Sequence, residues 1–302
     1  MLFIISLISF IAINLAPNSF FASGELNPNI TPEAIEELKA IYGLDKPLYI
    51  QFFSWIYSIL QLDFGISFTS GEKVKEEILS RIPITLTINI VSMILIFIIS
   101  LYFGIKSAMK KNSIFDRFTN QLSLLSFSMP SFYLALVLVL VFSIKFELFP
   151  IAGLHSVPND GSLNYYLDFA WHLVLPIFII VFGGIGSLIL YIRALTIEIL
   201  KSDYIFFARA RGLDNKKILR YYILPNLYPP VITLLGLSLP GIIGGSVILE
   251  TIFSIDGMGL LFYQSALSHD YPVIMGILII GAFLTLIGNM FADLILLKLN
   301  PN

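Results

Sequence analysis

Six apolar runs, each about long enough to cross a bilayer, alternate with polar stretches along the chain. They cover roughly residues 2–19, 84–106, 119–146, 171–195, 229–249 and 273–297. A membrane-spanning helix needs about 20 predominantly apolar residues. Barrel strands would instead alternate in polarity over about ten. The pattern predicts an all-α, polytopic membrane protein of about six transmembrane helices. The first run is short before Pro17 and has no basic flank. It reads as a first span (1–19) or as a cleaved signal peptide that lacks its usual basic start.

Two polar stretches carry structure of their own. Residues 20–83 form the one sizeable extramembrane segment. There Thr31-Pro32-Glu33 has the proline and early acids of a helix start, and Gly43 follows Tyr42 as its stop. Leu48–Leu62 is rich in aromatics (Tyr49, Phe52, Phe53, Trp55, Tyr57). It reads equally as an interfacial helix or as ordinary packing onto the bundle. Gly71–Ile82 is charged and leads through Pro83 into span two. The second stretch, 197–228, joins spans four and five. Ser202 or Asp203 is placed to cap a helix over Tyr204–Arg211, which Gly212 ends. Asp214 caps a second helix to Leu224, where Pro225 interrupts and redirects the chain. Ala208 carries little side chain, so another surface is able to approach that turn closely.

Charge turns this outline into a topology. The chain is 57% hydrophobic and 13% charged, with mean hydropathy +0.88, against roughly a quarter charged residues in soluble domains. With both termini inside, the inner segments and their edges hold 12 Lys/Arg and four acids; the outer ones hold six and 15. The last outer loop, Glu250 to Pro272, has no Lys or Arg. That is the positive-inside bias. Seven basic residues fall between Arg193 and Pro229: Arg193, Lys201, Arg209, Arg211, Lys216, Lys217 and Arg220. They suit a protein partner, or a surface bound to anionic lipid. The absence of cysteine excludes disulfides and thiolate metal sites.

Glycine and proline mark a candidate translocation path: Met129-Pro130 in span three, and Pro240, Gly241 and Gly245 with Glu250 around span five. Gly241 and Gly245 form a small-xxx-small pair that permits close helix contact; a pore-facing role and plain tight packing both fit. Pro176, Gly183, Gly184 and Gly186 give span four freedom to bend. Asp293 is the acid within a span, either functional or a buried or snorkelling partner. Glu250 and Asp256 at the outer mouth read as receptor or gate residues, or as solvated loop acids. His155, His172 and His269 are isolated in sequence and show no metal-ligand spacing.

The loop resembles the coupling loop of permeases in binding-protein-dependent ABC importers, whose signature runs Glu-Ala-Ala, three residues, Gly, nine residues, Ile, one residue, Leu-Pro. Aligned on Gly212, Ala208 and Leu224-Pro225 match; Phe206, Phe207 and Tyr222 depart. The dipeptide/oligopeptide/nickel branch commonly departs at the first two positions. Further stretches look like the same branch: Tyr42–Leu48, Asp63–Ser67, Ser128–Tyr133, Gly244–Phe253, Gly257-Met258-Gly259, Asp270–Val273 and Leu15-Ala16-Pro17. They cover nearly the whole chain, and the match implies a shortened N-terminus and a clipped C-terminus.

The resemblance implies a permease core over 84–302, an extracytoplasmic segment over 20–83, and a coupling loop over 197–228 with Asp203, Ala208, Arg209, Ala210, Gly212, Leu224 and Pro225 as its residues. The chain has no Gly-x-x-x-x-Gly-Lys-Ser/Thr phosphate loop, so ATP-Mg belongs to partner subunits and no cofactor is expected here. Expected partners are a second similar permease, two ATP-binding subunits or domains, an extracytoplasmic substrate-binding protein and membrane lipid, without nucleic acid. The expected location is a bacterial or archaeal inner membrane, and the expected cargo a peptide or a nickel chelate. The run Leu48–Trp55 with Asp63–Phe68 leans modestly to nickel. A self-sufficient secondary transporter or channel is the alternative, opposed by the scarcity of intramembrane charge and the absence of an evident inverted repeat. An intramembrane enzyme lacks paired histidines, Gly-x-Ser-x-Gly or paired membrane carboxylates.

Overall fold

The computed structural model describes residues 4, 6–8, 10–11, 46–238, 241 and 246–299. The predicted helix near Thr31–Tyr42, almost all of the first span, and Pro240, Gly244 and Gly245 lie outside them. The described residues are helical, with no strand among them. In chain order they form α1 (Leu48–Leu60), α2 (Val74–Met109), α3 (Ile114–Ser128), α4 (Ser131–Leu138) with a π-helical continuation Val139–Lys145, α5 (Leu163–Leu200), α6 (Asp203–Ala210), α7 (Asn215–Ile218) with a π segment Leu219–Ile223, α8 (Leu224–Ser238), α9 (Val247–Ile252), α10 (Met258–Leu267) and α11 (Tyr271–Leu299). Three helices are long and apolar enough to cross a membrane among the described residues, and the bent α3–α4 pair makes a fourth. The chain divides into two compact units: 1–85, 243–247 and 256–286; and 86–242, 248–255 and 287–302.

In the first unit, α1 starts after Pro47, and Leu62 beyond its end has φ +59°. Phe52 is buried against Phe10 and Met275, while Tyr49, Phe53 and Tyr57 are exposed. One face of α1 therefore packs onto the fold and the other carries the exposed rings. Val74 and Ile78 form a core with Met258, Leu261 and Val273. Two stretches far apart in sequence meet here. The Asp270 carboxylate, 1% exposed, accepts from Ser67 Oγ at 2.6 Å and from the Thr69 amide at 3.1 Å. Arg81 pairs with Asp256 at 2.8 Å.

Helix α2 begins ten residues earlier than the apolar run. Pro83 sits inside it rather than at its start. Hydropathy registers solvent preference, not helicity, so the polar first turns Val74–Ile82 were invisible to it.

In the second unit, span three is not one rod. α3 and α4 meet at 99°. Met129 takes the extended conformation (φ −88°, ψ 119°), as the residue before a proline prefers, and Pro130 starts the next helix. α3 turns a polar face inward: Asp116, Thr119, Ser123 and Ser126 are all buried. Ser126 Oγ donates to the Phe182 carbonyl of α5. A Cβ on Gly186 of α5 would lie 2.5 Å from the Ser123 carbonyl. The glycine thus permits close approach of two helices, the usual basis of packing in lipid, and α5 runs through Gly183, Gly184 and Gly186 as one helix from Leu163 to Leu200. Gly186→Val should destabilise the detergent-solubilised protein by about 1–3 kcal/mol, the usual cost of overpacking. A thermal-unfolding series against Gly183→Val checks this, because a Cβ at Gly183 meets nothing within 4 Å.

Candidate functional site

The connection between α5 and α8 folds largely as its sequence directs. α6 starts after Ser202, whose hydroxyl donates to the Ile199 carbonyl at 2.6 Å rather than capping the next turn. Gly212 has φ +79°, a conformation glycine adopts at no steric cost. Its amide donates to the Arg209 carbonyl at 2.9 Å, and the Leu213 amide to that of Ala208 at 3.2 Å. The Asp214 carboxylate caps α7 by accepting from the Lys217 amide at 3.0 Å.

Pro225 does not interrupt the chain. Helical structure runs from Asn215 to Ser238 through the π segment. The proline falls directly after that wider stretch. Asn226 Nδ2 donates to the Tyr222 carbonyl at 2.6 Å.

The side chains sort sharply by exposure. Ile205, Ala208, Ile218, Ile223 and Leu227 are buried with Ile105 and Ile192 in one core. Ala208 is 2% exposed, so its smallness serves the chain's own packing instead of leaving room for another surface. Leu224 is half-buried, while Asp203, Arg209, Ala210, Gly212 and Pro225 are exposed. Phe206 and Phe207 are 69% and 62% exposed. Two adjacent phenylalanines standing off a short helix among cations form an apolar knob, which sequence reasoning registered only as a departure from a signature. Among the described residues no carboxylate pairs with Arg209, Arg211, Lys216, Lys217 or Arg220.

Arg193 does not belong to this exposed set. On α5, its Nε donates to Asp116 Oδ1 at 2.7 Å and a terminal nitrogen to Oδ2 at 2.9 Å. Ser107 Oγ, the Asn112 amide (2.8 Å) and Asn120 Nδ2 (3.0 Å) also donate to that carboxylate. The Asp116 side chain is 4% exposed and that of Arg193 21%. One carboxylate thereby ties the α2–α3 turn to α5, close before α6.

The candidate path is only partly assembled. A cavity of about 580 Å³ lies among α2, α5 and α8, with Gly241 at its wall. Met129 and Pro130 do not line it. A Cβ at Gly241 meets nothing within 4 Å, so no close helix contact forms there among the described residues. Glu250 is 4% exposed, and its burial withholds it from a soluble partner. Asp293 is exposed on α11 and has no hydrogen bond or ion pair among the described residues.

Two histidines read as isolated come together. His172 Nδ1 lies 3.5 Å from Asp168 Oδ1, and His155 Nδ1 3.7 Å from Oδ2. The His155 ring stacks on Tyr165 at 3.8 Å. His155 and His172 are 17 positions apart, a separation that suggests no contact until the loop 147–162 folds back. Among the described residues no three His, Cys, Asp or Glu side chains are placed to hold a metal ion.

Comparison with known proteins gives this geometry a context. Residues 97–302 match the family model described as binding-protein-dependent transport system inner membrane component, and residues 1–89 its N-terminal companion. The chain is 35% identical over 298 residues to the oligopeptide transport system permease protein AppB of Bacillus subtilis, covering 98% of this chain and 93% of that one. It is 32% identical to the dipeptide permease DppB of Lactococcus lactis, covering 99% and 94%. It is also 32% identical to the metal-staphylopine import permease CntB of Staphylococcus aureus, covering 91% and 84%. An inward-facing structure of the MetNI methionine ABC transporter shares the fold, with a TM-score of 0.58 at 17% identity, covering 74% of this chain and 96% of that one.

Proposed function

Because the chain belongs to the family of binding-protein-dependent transport system inner membrane components, a family of transport subunits rather than enzymes, we propose that it forms the membrane path of an ATP-driven importer for peptides. The observation that carries the mechanism is the exposed α6 turn. It presents Phe206, Phe207, Arg209, Ala210 and Arg211 to solvent, while Ile205 and Ala208 root it in the core. The knob seats in a separate ATPase, and closure of that partner pushes α6. Because α6 is packed against α2, α5 and α8 residues, the push tilts those helices and shifts the inward–outward balance. Asp203, Leu224 and Pro225 hold the two ends of the lever, and Gly212 its turn.

The positive loop faces the cytoplasm, with both termini on the same side. A second permease and a pair of ATPase subunits or domains complete the membrane assembly. A substrate-binding protein delivers cargo from outside. Peptides are the first choice because AppB and DppB are named for them. A metal chelate is the second reading, favoured by CntB and by the modest lean of Leu48–Trp55 toward nickel-type permeases.

Purification of the tagged chain from its native membrane should bring down an ATPase whose hydrolysis rises when the loaded receptor is added. Cargo accumulation by the chain with no ATPase attached would overturn the proposal and make it a secondary transporter.

A further inference from the structure

The last turns of α2 carry two stripes. Leu101, Ile105 and Met109 follow one another four positions apart, and so do Tyr102, Lys106 and Lys110. Residues spaced this way share a helix face, so an apolar ridge runs beside one that holds two cations. Both stripes line a second cavity of about 500 Å³, a volume within the roughly 300–1,000 Å³ of small-molecule sites. Its other wall comes from Asn215 of α7, Leu219 of the π segment and Leu224 of α8. The two walls have the same grain. Leu101 lies toward the span and Lys110 at its loop end, over roughly 14 Å of helix rise. Asn215 likewise stands at the loop end, and Leu219 and Leu224 lead into the span.

Lys106 is held in place. Its ammonium donates to Tyr102 Oη at 2.5 Å and stands 4.7 Å from the ring centroids of Tyr102 and Phe115. Phe115 is itself stacked on Phe103. One of three ammonium donors is thus used, and no carboxylate lines the cavity to take the others. Free inorganic phosphate would match the lysines and leave the leucines, Ile105 and Met109 facing water. A neutral acyl chain would match the apolar ridge and leave the lysines without a counter-charge. A phospholipid with an anionic headgroup satisfies both. The positive-inside bias puts this end of α2 at the cytoplasmic leaflet, which is the anionic one.

We propose that this cavity binds one anionic phospholipid. Its phosphate sits on Lys106 and Lys110 with the Asn215 carboxamide beside it, and an acyl chain lies along Leu101, Ile105, Leu219 and Leu224. The site bears on the lever. Leu101, Met109, Leu219 and Leu224 also pack on the core that contains Ile205 and Ala208 of α6. An occupant therefore braces the side chains into which α6 is rooted, and its loss loosens transmission from α6. The site itself stands on the cavity geometry; its effect on transport rests on the permease reading.

The test uses the full chain, with its co-purifying subunits, in nanodiscs of equal parts phosphatidylglycerol and phosphatidylcholine. Lipid kept by the chain after bulk lipid is stripped with detergent is read by native mass spectrometry. Lys106→Gln with Lys110→Gln should lower retained phosphatidylglycerol about 30-fold, the effect of two lysines at a charged surface. Lys106→Arg with Lys110→Arg should keep it. Lys216→Gln with Lys217→Gln removes the same charge outside the cavity and should leave retention unchanged. Excess glycerophosphoglycerol, the headgroup without its tails, should not displace the lipid from the unsubstituted chain. Equal loss in the two glutamine pairs would reduce the attraction to diffuse surface charge and overturn the site. Displacement by the bare headgroup or by inorganic phosphate would overturn the lipid and leave an anion site. The cysteine-free sequence lets Met109→Cys carry a single photo-crosslinker. Capture of a polypeptide there instead of phosphatidylglycerol would make the cavity a subunit interface and overturn the proposal. In proteoliposomes with the ATPase, uptake per ATP should fall when phosphatidylglycerol is omitted, and an unchanged ratio overturns the effect on the lever. Failure of any ATPase to co-purify removes the permease reading, while retention on the chain still decides the lipid site.

Discussion

Gly212→Glu will abolish uptake and release the ATPase while the purified chain stays folded. The turn at Gly212 has φ +79°, and a Cβ there would meet nothing within 4 Å among the described residues. The substituted side chain starts from open space on an exposed turn, so its main collision is expected with a partner. The intramolecular cost is the left-handed backbone alone, about 1–2 kcal/mol for a non-glycine residue. That is too little to unfold a core in which Ile192, Ile205, Ile218, Ile223 and Leu227 are at most 1% exposed. The partner meets a different change: a new carboxylate beside Arg209 and Arg211, in the most positive part of the proposed docking surface, next to the two phenylalanine rings. Gly212→Asn separates the two effects, because asparagine tolerates the left-handed region and adds no charge. It should keep most of the uptake. Co-purification of the ATPase and accumulation of labelled cargo are the readouts, with thermal unfolding as the control for folding. Normal uptake by Gly212→Glu would defeat the coupling assignment.

What the sequence made legible follows from the range over which each signal acts. Apolar runs placed α2, α5 and α11, because burial in lipid imposes composition directly. The helix–glycine turn–helix of the α5–α8 connection was legible for the same reason: caps and turns are settled within four residues. Proline marks the two misplaced boundaries: Pro83, the expected entry to span two, lies within α2, and Pro225, the expected interruption, lies within the first turn of α8 directly after a π segment. Met129-Pro130 did break its span, since there the preceding residue had already turned extended. Long-range pairings left no trace in periodicity. Asp116 and Arg193 lie 77 positions apart, and Ser67 and Asp270 203 apart. The second pair joins the stretches Asp63–Ser67 and Asp270–Val273, both of which figured in the family resemblance. The exposed knob of Phe206 and Phe207 was visible only as a mismatch, because exposure on a helix of eight residues depends on which face the core claims.

The other large effect lies at the carboxylate that joins the α2–α3 turn to α5. Asp116→Ala should lower the stability of the solubilised protein by about 3–5 kcal/mol, the range for breaking a buried pair by removing one partner. The reason is the stranded guanidinium. With its side chain 21% exposed, Arg193 loses both contacts of a fork-shaped donor, and no second carboxylate in reach is seen among the described residues. Arg193→Ala should cost less. Asp116 would still accept from Ser107, the Asn112 amide and Asn120, so its charge stays solvated by donors. Arg193→Lys should fall between, because a single ammonium cannot reproduce the two parallel contacts at 2.7 and 2.9 Å. The double variant Asp116→Ala with Arg193→Ala should be more stable than Asp116→Ala alone, since no buried charge is left unpaired. A full cycle by denaturant or thermal melting measures the coupling. If the two single substitutions simply add in the double variant, the clamp is not a unit. If they couple, ATPase activity in the assembled complex gives the functional consequence: a loosened α5 transmits the push on α6 poorly, so hydrolysis should continue while uptake per ATP falls.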